Sequence, residues 1–156
     1  MIKKIKIIII VLVSGLFISS CSIIDLFRTG GILLVNIRAE DNINPTINNQ
    51  PAPVTLRIYQ LKDNVIFDER NFIELYHQDD DLLKNDLLSK RIIPSIYPSS
   101  EKEITLPLIE GTQHIAIIVE FSSYRSSANK KRVRLYSSKG ARVAIHLDGT
   151  IVSIKN

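Results

Sequence analysis

The sequence predicts an all-β fold: a two-sheet β-sandwich with a short helical insert after the second strand. Seven short strand-like runs, most of them alternating apolar and polar residues with a period of two, are separated by clusters of turn formers. Only the region from Phe67 to Leu88 changes to helical spacing. Strands with one apolar face need a second sheet to cover it, and a sandwich supplies one.

The first strand spans Ile32 to Ala39, with Leu33, Val35, Ile37 and Ala39 on its buried face. The run Asp41–Pro53 that follows is rich in Asn and contains Pro45, Pro51 and Pro53. Such a run cannot pair inside a sheet and reads as an exposed loop. It is longer than a hairpin needs and displays Ile47 with no burial phase, so it is either a plain connection or a binding element on a rigid scaffold. Val54, Leu56 and Ile58 begin a second strand that ends near Leu61. Phe67, Phe72, Leu75 and Tyr76 recur at helical intervals. Asp79–Asp81 then read as the acidic start of a second short helix over Leu82–Leu88, closed by Pro94 and Pro98. Strands resume at Glu103–Ile109, His114–Phe121, Lys131–Tyr136, Ala141–Leu147 and Thr150–Ile154. Asp148-Gly149 is the strongest hairpin turn among them.

The amino terminus is of a different kind. Lys3, Lys4 and Lys6 precede the apolar run Ile7–Ile18, and Ser19-Ser20 leads into Cys21, the single cysteine. A basic start, a short apolar stretch and small residues at the cut form a secretory signal peptide. At about 1.5 Å per residue the run reaches ~18 Å, short of the ~30 Å hydrocarbon core that a membrane-spanning helix crosses. Ile18-Ser19-Ser20-Cys21 resembles a bacterial lipobox, which implies cleavage before Cys21 and acylation of that residue. The expected organisation is a signal peptide over 1–20, an anchor and tether over 21–31, and a sandwich over 32–156 with its helical insert at 67–90. The resemblance to bacterial lipoproteins also implies a destination: their sorting rule ties Asp after the anchor to the inner membrane, so Ser22 implies the outer membrane, facing the periplasm.

Loss of residues 1–20 removes three lysines and no acid, leaving 17 basic against 16 acidic residues, a formal charge of +1. A protein that neutralises phosphates needs a larger basic excess, so no nucleic-acid partner is expected. With one cysteine, packing rather than disulfides must hold the domain together.

The residues show no catalytic constellation, and neither an enzyme nor a cofactor or metal is expected. His77 beside Asp79–Asp81 lacks the spacing of a zinc or calcium site, and helix capping by Asp80 or Asp81 accounts for the acids. His114 and His146 read as sheet residues, and Glu120 as an outward residue of its strand. Ser127-Ala-Asn-Lys130 has the Ser-x-x-Lys spacing but lies in a loop rather than at a helix start. Lys130, Lys131, Arg132 and Arg134 read as a solvated edge strand.

Asn44-Pro45, the block Arg57-Ile-Tyr-Gln-Leu-Lys62, Phe67, Phe72 with Leu75-Tyr76, Leu83 with Asp86-Leu87-Leu88, and the Ile115–Phe121 strand occur in a telling order. Together with Cys21 they resemble the TssJ family, the outer-membrane lipoproteins of the type VI secretion system. The resemblance implies a transthyretin-like sandwich and a scaffold role. It also implies a partner: the periplasmic carboxyl-terminal domain of a TssM-like inner-membrane protein, gripped by the first inter-strand loop. Carried onto this chain, the contacts are Asn44, Pro45, Thr46, Ile47 and Asn48. The chain departs from the family at one corner: Tyr124-Arg125 is present, but the expected Trp-Arg is absent and the chain has no Trp. The alternative is a lipid-anchored ligand- or peptide-binding sandwich, or a chaperone for another envelope machine. Its mark would be a cavity lined by Ile58, Leu106 and Ile117.

Overall fold

A computed structural model describes residues 29–137 and 139–156. Cys21, the expected signal peptide and most of the expected tether lie outside the described residues. Sheet one has the order β4-β1-β7-β8 and sheet two the order β3-β2-β5-β6. The strands are β1 (Thr29–Ala39), β2 (Val54–Leu61), β3 (Leu87–Ile96), β4 (Glu101–Ile109), β5 (His114–Val119), β6 (Lys130–Arg134), β7 (Gly140–Asp148) and β8 (Ile151–Lys155). Helices α1 (Val65–Glu69) and α2 (Phe72–Leu83) lie between β2 and β3. The fold is the all-β two-sheet sandwich that the alternation predicts, with eight strands rather than seven.

The additional strand is β3. Leu87 and Leu88 begin it, where helical spacing predicts the end of a second helix. Within α2 the backbone kinks at Gln78 (φ −136, ψ 27), and Asp79–Asp81 open the short segment that follows, as expected, but that segment ends at Leu83 rather than Leu88. Asn71 caps the start of α2: it accepts from the Glu74 amide while the Glu74 carboxylate accepts from the Asn71 amide, a reciprocal capping box. Pro94 does not terminate the insert. It sits within β3, and β3 tolerates it because it lies at the edge of its sheet.

Strand β1 starts at Thr29, three residues earlier than its apolar alternation indicates, so the glycine pair belongs to the sheet. It runs antiparallel to β4 and parallel to β7, with Ile32 opposite Gly140. Gly31 has φ +146, and a Cβ there would stand 2.2 Å from the Lys139 carbonyl oxygen. Only glycine lets the two backbones approach this closely.

The main core fills the space between the sheets, with Leu33, Val35, Ile37, Leu56, Ile58, Ile115, Ile117, Val143 and Ile145 at its centre. A second core lies on the other face of sheet two, where Tyr59, Leu61, Ala116 and Ile118 meet Phe67, Leu75 and Leu83 of the helices. All six residues of β5 are therefore buried. A continuous apolar run is what a strand covered on both faces requires.

Every connection alternates between the two ends of the sandwich. The chain enters at Thr29 at one end, and loop 40–53 lies at the other, because β1 joins them. The connections before β4, after β5 and before β8 share the loop's end.

Gly31→Ala is expected to destabilise the domain by about 2–4 kcal/mol, read as a lower urea midpoint. Gly111→Ala is the control: φ is +85 there, but the nearest atom to a Cβ is 4.0 Å away. It should cost only about 1 kcal/mol.

Candidate functional site

The loop between β1 and β2 is fixed at its root by side chains that mimic backbone. Ile43 is fully buried in the core. Asn44 takes a left-handed conformation (φ 48), which Asn accepts more readily than most residues. Its amide is bonded at 2.8 Å to the Gly149 carbonyl. The Asn44 side chain donates to the Pro53 carbonyl at 2.9 Å and accepts from the Ser122 amide at 2.7 Å. One residue thus ties both ends of the loop to the β5–β6 connection. Asn42 adds a second tie, donating to Asp148 at 2.7 Å and accepting from the Gly149 amide at 3.0 Å. The tip is a closed turn in which the Thr46 amide donates to the Gln50 carbonyl and the Asn49 amide to the Thr46 carbonyl.

This geometry sorts the five residues named from the sequence. Asn44 is 4 % exposed and its side chain serves the loop itself. Pro45 and Thr46 are half-buried, and Ile47 and Asn48 are exposed. Ile47 is 99 % exposed, an isoleucine held in water at the top of a fastened loop. Two further apolar residues at the same end escaped the sequence reading: Tyr97 between β3 and β4, and Ile151 at the start of β8. Ile151 follows the Asp148-Gly149 turn closely, a position whose exposed phase the alternation with buried Val152 reveals.

A groove of about 350 Å³ continues from the loop's root along the side of the domain, lined by Phe72, Tyr76, Glu120, Phe121 and Tyr124. The rings of Tyr76, Phe72 and Tyr124 stack in sequence, with centroids 5.8 Å apart at each step. Beneath it lies an ionic cluster. Asp79, 5 % exposed, accepts from Tyr59 at 2.9 Å, Arg57 at 3.2 Å and Lys90 at 3.2 Å. Arg57 also donates to Glu120 at 2.7 Å and to the Tyr76 carbonyl at 3.0 Å, and lies over the Tyr76 ring. Glu120 thus stands just beyond β5 as an ion-pair partner. Burial raises the Asp79 pKa, but the bonds from Tyr59, Lys90 and Arg57 outweigh it and hold the carboxyl below its ordinary value. The Tyr59 hydroxyl is pushed far up by burial and by the carboxylate it serves.

Lys130 is not part of a solvated edge. Its ammonium donates to the carbonyls of Phe67, Asp68 and Arg70, closing the carboxyl end of α1. Ser127 donates to the Ser123 carbonyl, so the Ser-x-x-Lys pair is divided between two structural tasks. His146 bonds Glu40 at 2.7 Å on the outer face of sheet one, and His114 is buried. Among the described residues no group of three His, Cys, Asp or Glu side chains could hold a metal ion. Ile58, Leu106 and Ile117 are packed within the main core, so they line no ligand cavity.

The sequence model of a family described as "T6SS-SciN: Type VI secretion lipoprotein, VasD, EvfM, TssJ, VC_A0113" matches residues 32–150. The chain belongs to this family. Three solved structures share the fold of this type VI secretion lipoprotein. The T6SS lipoprotein TssJ1 from Pseudomonas aeruginosa is 21 % identical, with a TM-score of 0.74 over 80 % of this chain and 95 % of that one. Serratia marcescens Lip, a membrane-bound component of the type VI secretion system, is 18 % identical, with a TM-score of 0.71 over 81 % and 96 %. A chain in the structure described as "T6SS protein TssM C-terminal domain (869-1107) from EAEC" is 20 % identical, with a TM-score of 0.65 over 80 % and 98 %. No curated protein matches the chain.

Asp79→Asn is expected to lower stability by about 2–3 kcal/mol at pH 7, because Arg57 and Lys90 lose their shared counter-charge. The depressed Asp79 pKa contributes stability that is present above the unfolded value of about 3.9 and lost as pH falls through the folded one. Urea titrations between pH 6 and pH 2 should show a shallower acid decline in the variant than in the wild type.

Proposed function

We propose that this type VI secretion lipoprotein is a non-enzymatic scaffold. It is lipid-anchored through Cys21 to the outer membrane, on the periplasmic side. It binds the periplasmic carboxyl-terminal domain of a TssM-like inner-membrane protein through the loop after β1. The observation that carries this reading is the placement of the loop. It stands at the end of the sandwich opposite Thr29, where the chain arrives from its tether, and it presents Ile47 on a framework fixed by Asn44 and Asn42.

The physical argument is pre-organisation. A loop ordered before binding loses little conformational entropy on contact, so the burial of an exposed isoleucine goes into affinity. Tyr97 and Ile151 extend the apolar surface at the same end, and Asn48, Asn49 and Gln50 supply a polar rim. The family match supports the secretion role, and the likeness to a chain in the TssM C-terminal domain structure supports the partner. Asn44 takes part as the fastener of the loop, and Pro45, Thr46, Ile47 and Asn48 as its contact surface.

The test is co-purification of the full chain with the periplasmic domain of the TssM-like protein from the same cell. Ile47→Asp is expected to weaken binding about tenfold or more, since it removes a central apolar anchor. Its unfolding midpoint should not change, because Ile47 stands clear of the core. Deletion of Thr46–Gln50 should abolish both binding and secretion. Wild-type binding by the two variants would refute the loop assignment.

A further inference from the structure

The end of the sandwich that receives the chain is not neutral. Ile32, at the start of β1, is 56 % exposed, and Tyr136, in the β6–β7 connection, is 87 % exposed. Lys139 abuts Gly31, and Arg142 stands where β7 begins; both are exposed. The acids at this end, Asp63, Asp86 and Glu110, stand on the other connections, those flanking the helices and joining β4 to β5. The patch therefore combines an aliphatic side chain, an amphipathic ring and two cations beside the point where the tether arrives.

We infer that this patch lies against the phospholipid surface, so that the domain is seated on the membrane and not merely tied to it. The inference rests on the anchored reading of Cys21 proposed above. Eight residue steps separate Cys21 from Thr29, a reach of at most about 28 Å, so the patch spends its time within one domain length of the headgroups. Tyrosine is at home at a headgroup boundary, with its ring in the apolar layer and its hydroxyl in water. The cations match the anionic fraction of a bilayer and act within a Debye length of it. Seating fixes the opposite end, with Ile47 at its tip, pointing away from the bilayer.

The chain contains no tryptophan, so a single introduced indole reports its own surroundings. The lipidated full chain carrying Tyr136→Trp is reconstituted into vesicles of phosphatidylethanolamine and phosphatidylglycerol, some with brominated acyl chains. A second variant, Ile47→Trp, places the indole at the far end. Flotation reports the anchor, and emission reports the contact. The Tyr136→Trp indole is expected to shift to the blue and to lose about half its fluorescence or more to brominated lipid, while the Ile47→Trp indole is unchanged. Adding Lys139→Glu and Arg142→Glu to the Tyr136→Trp variant should return its emission toward the value in water; an unchanged shift would overturn the electrostatic part of the proposal. A Tyr136→Trp chain that floats while its indole stays in water overturns the seating and leaves the anchor intact. A chain that does not float overturns both.

Discussion

The rest of the structure depends on sheet two being covered on both faces. One face closes the main core against sheet one, and the other is roofed by α1 and α2. The double covering explains why β5 is apolar throughout and why the helical insert exists at all. It also creates an electrostatic demand. Arg57 and Tyr59 alternate with core residues of β2, so their side chains enter the second layer, where a half-buried cation and a buried hydroxyl need partners. Asp79 from α2 and Glu120 from the end of β5 meet the demand, and Lys90 from β3 completes it. Four separate segments are thereby held in one arrangement by a single set of charges.

The far end of the molecule is organised by a different set of bonds. Asn42 and Asn44 satisfy backbone groups on the loop, on the β7–β8 turn and on the β5–β6 connection. Loops without such ties open locally at little cost in free energy, whereas these three are cross-linked into one surface. A loop can then be exposed without being loose, which is the property the proposed scaffold contact needs.

Most of the sandwich was legible because its strands have one wet face. The alternation from Leu33 to Ala39 and the Asp148-Gly149 turn place β1 and the last hairpin directly. β3 was not legible: its apolar residues follow a helical pattern without a break, and Pro94 reads as a terminator unless the strand is known to be an edge. The capping box is present in the sequence as Asn71 with Glu74, and Asp79–Asp81 mark the second helical segment, whose end at Leu83 the pattern does not show. Lys130 and Asp79 could not have been placed from the chain alone, since their partners are tertiary. In the candidate site the loop and Ile47 were visible in composition and phase. The inward turn of Asn44 depends on Ser122 and Pro53, and only the fold brings those together.

The pairing of β1 has a mechanical meaning. From Ile32 to Arg38 this strand is bonded to β4 on one side and to β7 on the other. Its amino end leads to the tether, and its carboxyl end leads into the loop. Tension applied between those two points runs along the strand, while its hydrogen bonds lie across it. The bonds are then loaded together in shear and cannot be unzipped one at a time. A central strand is the most force-resistant place in such a sheet to carry the link proposed between membrane and partner.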